Sequence, residues 1–147
     1  MLTLDIALLS EKENSEQALI LSGAKDNLIK LWKFDSSLPF QRKIRCLATF
    51  KGHNENISGV CFAPKRKKFF ASVSQDNTLK VWNVPSMSES SEEEESLISS
   101  AQMTIMAHQK YINAVRISPN DKLIATSSQD KTIKIWDAAS LSVKSIL

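Results

Sequence analysis

One twelve-residue sequence occurs three times in this chain, and this repetition constrains the fold more than any other feature. The copies begin at residues 22, 72 and 126 and read SGAKDNLIKLWK, SVSQDNTLKVWN and TSSQDKTIKIWD. In every copy a Ser or Thr lies four residues before an Asp, and a Trp lies six residues after that Asp. Self-similarity of this kind predicts one structural unit that is stacked three times.

The repeat extends upstream of the second and third copies and includes a histidine there. His53 and His108 each precede a matched apolar pattern that ends in proline: Ile57, Val60, Phe62 and Pro64 in one case, and Ile112, Val115, Ile117 and Pro119 in the other. The three Trp residues are 50 and then 54 positions apart. Because the units differ in length, we expect the extra residues to lie in loops.

Apolar side chains alternate with polar ones between turn residues, which predicts short β-strands and no long helix. In the second unit the predicted strands are 57–63, 68–73, 78–84 and 100–106. Four strands per unit give twelve strands in three units, at residues 1–50, 51–106 and 107–147. Leu79 and Val81 face away from Trp82, so each predicted sheet is apolar on both faces and has to pack against neighbours.

These motifs resemble the blades of WD-repeat β-propellers: a Gly52–His53 pair, a small hydroxyl residue, an Asp in a tight turn and a Trp on the next strand. INAVRISPNDKLIATSSQDKTIKIW at 112–136 and GAKDN at 23–27 are similar to the transducin beta-like family of nucleolar small-subunit processome proteins. The chain departs from the pattern, since only Trp136 is followed by Asp and Ala107 replaces Gly before His108. The resemblance implies an all-β fold of three four-stranded antiparallel blades, an incomplete propeller.

Three blades are fewer than the four to eight that closed propellers usually contain, and an open stack leaves an apolar sheet face uncovered at each end. The resemblance points to long proteins with two tandem propellers. We therefore expect this chain to be part of a longer protein whose remaining blades complete the ring. The alternative is a second copy of the chain, which would supply six blades.

The repeated polar residues are expected to meet at one end of each sheet. In an antiparallel meander the turn before the first strand and the turn between the second and third strands lie together, which brings His53 near Asp76. The resemblance implies that these two residues form a hydrogen-bonded tetrad with Ser72 and Trp82, in which donors and acceptors match. The equivalent residues are His108, Thr126, Asp130 and Trp136 in the third unit, and the partial set Ser22, Asp26 and Trp32 in the first.

Catalytic and metal-binding interpretations of the same residues fit less well. Ser, His and Asp make up a hydrolase triad, but here the set recurs in every unit, and no nucleophile elbow or oxyanion hole is recognisable. We predict no enzymatic activity and no cofactor. His53 and His108 lack the spacing of a zinc motif, so no metal site is predicted. Cys46 and Cys61 lie in apolar alternation and are interpreted as core residues in a reducing compartment.

Two charged segments lie in the second unit. The basic segment consists of Lys65, Arg66, Lys67 and Lys68, and it is either a nuclear-import or RNA-phosphate patch or a solvated turn. The acidic insertion at 86–100 contains five Glu residues and is predicted to be disordered, with Ser90 and Ser91 as candidate sites for acidophilic kinases. Without the insertion the chain has 19 basic and 11 acidic residues, a balance that favours an anionic environment such as ribosomal RNA.

The sequence contains no apolar run near the roughly 20 residues that cross a bilayer, and it starts without a secretory signal, so an intracellular protein with no membrane partner is expected. The resemblance implies a non-catalytic scaffold of the small-subunit processome in the nucleus and nucleolus. Its partners would be other proteins of a large ribonucleoprotein assembly, with direct contact to ribosomal or small nucleolar RNA left open. The alternative is a general WD-repeat adaptor in signalling or in a ubiquitin ligase.

Overall fold

The computed structural model describes residues 3–12, 15–86 and 95–147, and these residues form short β-strands with one 3₁₀ turn at Phe40–Arg42. The strands are β1 (Thr3–Lys12), β2 (Ser15–Gly23), β3 (Leu28–Asp35), β4 (Ile44–Lys51), β5 (Ile57–Phe62), β6 (Phe69–Ser74), β7 (Thr78–Asn83), β8 (Ser96–Ile98), β9 (Met103–Met106), β10 (Ile112–Ile117), β11 (Leu123–Ser128), β12 (Ile133–Asp137) and β13 (Val143–Ile146).

The strands form three sheets that follow one another along the chain. The first sheet contains β1 to β4 and is extended by β8; the second contains β5, β6, β7 and β9; the third contains β10 to β13. Neighbouring strands are antiparallel in all three, except that β8 runs parallel to β4. The predicted all-β class and its division into blade-like antiparallel sheets are confirmed.

The acidic insertion departs from the prediction of a disordered loop. Residues 87–94, which include Ser90, Ser91 and four of the five Glu residues, lie outside the described residues. The end of the insertion, however, forms β8 and pairs with the first sheet. The outer strand of the second sheet therefore begins at Met103 and not at Ser100. Because β8 has only three residues, its sequence shows no periodic pattern that could indicate which sheet it joins.

The sheets pack face to face, with the second sheet in the middle. One apolar cluster lies between the first and second sheets and includes Leu31, Phe50 and Trp82. The other cluster lies between the second and third sheets and includes Val81 and Trp136. In both clusters the Trp of the later sheet packs toward the preceding sheet, which leaves Trp82 and Trp136 only 1% and 4% exposed.

Within the described residues, the outer faces of the first and third sheets have no neighbour. On the first sheet, Leu4 and Ile6 are each 62% exposed, and they share a face with the half-buried Trp32. On the third sheet Ile133 is 44% exposed, whereas its counterpart Leu79 in the second sheet is fully buried. The same residue types are thus buried or exposed according to whether a neighbouring sheet covers them.

Gly23 lies at the end of β2, where the second sheet approaches the first most closely. A Cβ atom at this position would lie 2.4 Å from Ile57 Cγ2 and 2.9 Å from Thr3 Cγ2. Because Ile57 is itself buried, it has little space to move away. We predict that Gly23→Ala lowers the free energy of unfolding by about 1–3 kcal/mol, the usual effect of overpacking, as measured by urea denaturation.

A double-mutant cycle tests whether this loss is steric. Ile57→Ala removes the methyl group that the new Cβ would meet, so Gly23→Ala should destabilise the Ile57→Ala background clearly less than the wild type. An equal loss in the two backgrounds would show that contact with the Ile57 methyl group is not the cause of the destabilisation.

Candidate functional site

A continuous chain of hydrogen bonds links four side chains of the second sheet. His53 Nδ1 lies 2.9 Å from Asp76 Oδ2, and His53 Nε2 lies 2.7 Å from Ser72 Oγ. The indole Nε1 of Trp82 donates to the same Ser72 Oγ at 2.8 Å. Because a carboxylate only accepts, His53 carries its proton on Nδ1. Ser72 then donates its own proton to Nε2 and accepts the indole hydrogen.

The turn between β6 and β7 holds Asp76 in this position. Asn77 has a φ of 66°, the left-handed conformation that Asn tolerates well in tight turns. The other carboxylate oxygen, Oδ1, accepts from the Thr78 backbone amide at 2.9 Å and from the Thr78 hydroxyl at 2.6 Å. Oδ2 also accepts from the Asn54 amide at 3.0 Å. Asp76 therefore joins this turn to the segment that precedes β5.

The third sheet repeats the arrangement with different residue types. His108 lies 2.8 Å from Asp130 through Nδ1 and 2.8 Å from the Thr126 hydroxyl through Nε2. Trp136 donates its indole hydrogen to Thr126 at 2.9 Å. Thr132 contacts Asp130 as Thr78 contacts Asp76. Thr in place of Ser and Ala107 in place of Gly52 therefore leave the hydrogen-bond pattern unchanged.

The first sheet contains only part of the arrangement. Trp32 donates to Ser22 Oγ at 2.9 Å, and Asp26 accepts the Leu28 amide at 3.1 Å. The two histidines of the chain, His53 and His108, both belong to the other sheets. The structure thus joins all four predicted members of the second and third sets by hydrogen bonds, whereas in the first set it joins Ser22 to Trp32 and no imidazole links this pair to Asp26.

The carboxylates of the two complete sets are ionised at neutral pH. Burial opposes ionisation of Asp76 and Asp130 and by itself would raise the pKa of each. Hydrogen bonds from the paired histidine, the Thr hydroxyl and backbone amides outweigh burial, so both pKa values lie well below the ordinary range. The side chains are only 8% and 12% exposed. Each set therefore places one charged, fully bonded carboxylate at the end of a sheet.

This geometry stabilises the sheets and engages the side chains of the two tetrads in hydrogen bonds with one another. Ser72 is 0% exposed, and its hydroxyl is shared between His53 and Trp82, so a substrate cannot reach it. In the described part of the chain, no group of three or more His, Cys, Asp or Glu side chains is arranged to hold a metal ion. Nor does any helix in the described ranges have the length and apolar content to cross a membrane.

Both cysteines are free thiols, and Cys61 belongs to the apolar cluster between the second and third sheets. Cys61 is buried, and Cys46 is half-buried. Burial raises the pKa of each thiol, and nearby carboxylates, Glu95 for Cys46 and Asp5 for Cys61, act in the same direction. Because the thiolate is the reactive form, both side chains are poor nucleophiles at neutral pH.

The basic segment 65–68 forms a turn between β5 and β6 that contacts both neighbouring sheets. Asp121 of the third sheet accepts the backbone amides of Lys65 and Arg66 at 3.0 and 2.7 Å. The Lys67 ammonium donates to the Leu8 carbonyl of the first sheet. The side chains of Lys65, Arg66 and Lys68 are exposed. This basic turn is therefore fixed through its backbone and Lys67, while three cations point into solvent.

Sequence reasoning missed the acidic residues that join neighbouring sheets. Asp121 bonds the basic turn, and Asp5 of the first sheet accepts the Phe62 amide of the second at 2.7 Å. A weak signal was present for Asp121: an Asn-Asp pair in a hairpin turn suits the left-handed backbone, and Asp121 has a φ of 61°. Asp5 lies within a strand, and its sequence neighbours give no indication of its partner.

Comparison with known proteins identifies relatives of the repeated unit. The family model described as "WD domain, G-beta repeat" matches residues 44–83 and 99–137, more than half of the chain. Transducin beta-like protein 3 of Mus musculus is 35% identical over 121 residues, which cover 80% of this chain and 15% of that protein. U3 small nucleolar RNA-associated protein 13 of Saccharomyces cerevisiae is 32% identical over 135 residues, covering 88% of this chain and 16% of that protein.

A further relative, the Ribosome biogenesis protein WDR12 homolog of Drosophila mojavensis, is 28% identical over 128 residues, which cover 84% of this chain and 29% of that protein. The chain therefore matches only 15% to 16% of the length of the mouse and yeast relatives.

We predict that Trp82→Ala lowers the free energy of unfolding by about 3–5 kcal/mol, because it removes a buried ring and its hydrogen bond. Trp32→Ala is the matched control: it removes the same ring and the same bond to a Ser, but from a half-buried site. Its effect should be less than half as large in urea denaturation. Equal losses would show that the face around Trp32 is covered in solution.

Acid should weaken the tetrad of the second sheet. Because the pKa of Asp76 is lower in the folded than in the unfolded chain, its ionisation stabilises the fold above about pH 4, and this stabilisation is lost as the pH falls further. Asp76→Ala should cost roughly 1–3 kcal/mol at pH 7, since it leaves buried donors without an acceptor. It should also flatten the dependence of stability on pH below about pH 4.

Chemical denaturation at a series of pH values measures both effects. Asp26→Ala, which removes the equivalent carboxylate that lacks a histidine partner, is the control and should destabilise the chain less at pH 7. If the free energy of unfolding fell with pH equally in the wild type and in Asp76→Ala, the role given to this carboxylate would be contradicted.

Proposed function

This chain belongs to the WD-repeat (G-beta repeat) family, and from that premise we propose that it is a non-catalytic scaffold in ribosome biogenesis. The observation that carries the proposal is which named proteins this chain resembles in sequence. A yeast protein named for association with U3 small nucleolar RNA matches 88% of the chain, and a fly protein named for ribosome biogenesis matches 84%.

The geometry of the described residues supports a scaffold role. Each sheet is fixed by apolar clusters on its covered faces, and in the second and third sheets a buried polar tetrad fixes one end as well. The Ser72 hydroxyl and the Cys61 thiol are buried. What remains accessible is a set of turns at the two ends and a row of outer strands. Repeat surfaces of this kind bind other macromolecules without performing chemistry.

Within ribosome biogenesis, we place the chain in the nucleolar small-subunit processome, among the proteins that assemble on precursor ribosomal RNA. The proposal rests on the similarity to transducin beta-like protein 3 and to the yeast U3-associated protein. The outer faces of the first and third sheets expose apolar side chains such as Leu4 and Ile133, so the proposed role includes presenting these faces to further blades. The partners are then other proteins of a large ribonucleoprotein assembly.

Affinity purification of the tagged full-length protein from cells tests this function. We expect the tagged protein to enrich U3 RNA and precursor ribosomal RNA over an untagged control. In cells it should concentrate in the nucleolus. Its depletion should impair small-subunit RNA processing. A protein that stays diffuse in the cytoplasm, with unchanged precursor processing on depletion, would favour the general adaptor in signalling or in a ubiquitin ligase.

We also propose that the basic turn contacts RNA phosphates directly. The bonds from Asp121 to the turn backbone hold the exposed Lys65, Arg66 and Lys68 side chains outward on one end of the stack. Because the backbone of the turn is already fixed, only these side chains lose conformational freedom on binding a polyanion. The basic segment 65–68 is also the candidate nuclear-import patch. A tagged variant that lacks these cations and is excluded from the nucleus would reveal this second role.

Replacing Lys65, Arg66 and Lys68 by Ala should weaken binding to a single-stranded precursor RNA fragment and reduce the slope of log K against log salt by about 2, or about 0.7 per lost phosphate contact. The matched control replaces Lys25, Lys51 and Lys131, three exposed cations at the opposite end of the sheets, by Ala. Filter binding at several salt concentrations measures both variants. Equal weakening by the two triple variants would show that net charge, and not the basic turn, governs RNA binding.

A further inference from the structure

The connection between β3 and β4 is longer than its counterpart in the third sheet and exposes what its counterpart buries. It contains the eight residues 36–43, whereas the five residues 138–142 join β12 to β13. In the shorter connection Leu141 packs into the apolar cluster between the second and third sheets. In the longer one Leu38 is 42% exposed and Phe40 is 90% exposed. The longer connection therefore places an aromatic ring in solvent.

The backbone of this connection is fixed although its tip is exposed. At its base the buried Asp35 accepts the Ser37 amide at 3.0 Å, and the Asp35 amide donates to the Lys43 carbonyl at 2.8 Å. At the tip Pro39 has a φ of −55°, which its ring restricts, and Phe40–Arg42 forms the 3₁₀ turn. A ligand that binds at the tip therefore does not have to order the backbone.

The surroundings of the aromatic ring are cationic. Residues 36–54 contain four Lys or Arg residues and no Asp or Glu. Arg42 lies two positions after Phe40 and is exposed, and Lys43 is half-buried. An exposed carboxylate, Glu16, lies beside the base of the connection, where its backbone amide bonds the first residue of the loop. The tip thus combines an open aromatic ring with positive charge.

This tip lies on the same end of the molecule as the basic turn. Lys67 of that turn donates to the Leu8 carbonyl of the first sheet. One row of paired residues crosses the first sheet at this level: Leu8, Ala18, Phe34 and Ile44. The row covers three strand spacings of about 4.8 Å each, or roughly 14 Å. Because the connection joins β3 to β4 just beyond this row, its tip and the basic turn border the same surface.

We propose that the tip of the connection binds single-stranded RNA, with an unpaired base stacked on the Phe40 ring and a neighbouring phosphate bound by Arg42. Single strands are bound in this way, by aromatic side chains that stack on bases and by cations that follow the backbone. A ring that is 90% exposed offers a whole face to a base. The proposal depends on the RNA-binding role proposed above only for the class of ligand, since its residues lie outside the basic turn.

The distribution of charge favours RNA over an acidic protein surface. The cations of the tip and those of the basic turn are separated by roughly the width of the first sheet. A polymer that carries one phosphate per nucleotide can contact both groups at once and place a base at the ring between them and solvent. A compact acidic patch on a protein would pair with one group.

Fluorescence anisotropy with a labelled oligouridine of about ten nucleotides, a typical site length for single-strand binding, measures the interaction. Phe40→Ala should weaken binding at least fivefold, which corresponds to the loss of one stacked base. The slope of log K against log salt should stay unchanged, because no phosphate contact is lost. Phe40→Trp should retain the affinity. Unchanged binding by Phe40→Ala would overturn the proposal.

Tyr111→Ala is the matched control, because it removes a half-exposed aromatic ring from the opposite end of the sheets. It should leave the affinity for oligouridine unchanged. Since the Phe40 ring is exposed, its variants should also keep the wild-type midpoint in urea denaturation. Equal weakening by Tyr111→Ala and Phe40→Ala would contradict a site at the tip.

Two further variants separate stacking on a base from an apolar contact with a protein. Phe40→Leu keeps an apolar side chain but loses the flat ring, so it should weaken binding nearly as much as Phe40→Ala. Arg42→Ala should weaken binding and reduce the salt slope by about 0.7, the effect of one phosphate contact. Wild-type affinity of Phe40→Leu would overturn the stacking and indicate an apolar pocket of a protein as the occupant.

The triple Ala variant of Lys65, Arg66 and Lys68 distinguishes this site from the basic turn. If that variant bound oligouridine more weakly while Phe40→Ala bound like the wild type, the site at the tip would be refuted and the contact at the basic turn would stand. The reverse result would support the tip and refute the basic turn. A wild-type chain that bound no oligouridine would refute both, whereas recovery of U3 RNA from cells tests the assembly role separately.

Discussion

The hydrogen bond from a Trp indole to a small hydroxyl is the interaction on which the rest of this structure depends. It occurs in all three sheets, at 2.9, 2.8 and 2.9 Å, from Trp32, Trp82 and Trp136. Through it a large apolar ring can be buried between sheets without leaving its N–H unpaired, which would be costly in a low-dielectric interior. In the second and third sheets the same hydroxyl also bonds a histidine, and that histidine bonds an ionised carboxylate. These bonds couple the ring to the turns at the end of the sheet.

This coupling explains why the sheets exist only as a stack. The polar tetrad fixes the Trp on one face, and Leu79 and Val81 cover the other face of the same strand. Both faces are therefore apolar, and each needs a neighbouring sheet. Polar contacts between neighbouring sheets supplement the packing, since Asp5 and Asp121 each accept backbone amides from the second sheet. Where no neighbour is present, as around Leu4 and Ile133, the same residue types are exposed.

The repeated residues hold the fold together, and the proposed contact surfaces lie where the repeat is interrupted. Two such interruptions are the basic turn between β5 and β6 and the long connection between β3 and β4. Membership of the WD-repeat family establishes the architecture but not the partner, because one fold supports many functions. The proposed role in ribosome biogenesis therefore rests on the similarity to named relatives, and the proposed contact surfaces rest on the geometry of these two segments.

Sequence alone determined the features that recur. The spacing of Asp and Trp and the alternation of apolar residues predicted the all-β class, and the same spacing, read through the family resemblance, indicated which His, hydroxyl and Trp residues belong together. Repetition makes such residues recognisable, and local turn geometry brings them near one another. Only the tertiary structure decided the features that occur once. It placed Ser96–Ile98 on the first sheet, directed Lys67 to Leu8 and joined Asp121 to the basic turn. These contacts join residues 48 to 59 positions apart in sequence, and no periodic pattern encodes them because each depends on how two neighbouring sheets are packed.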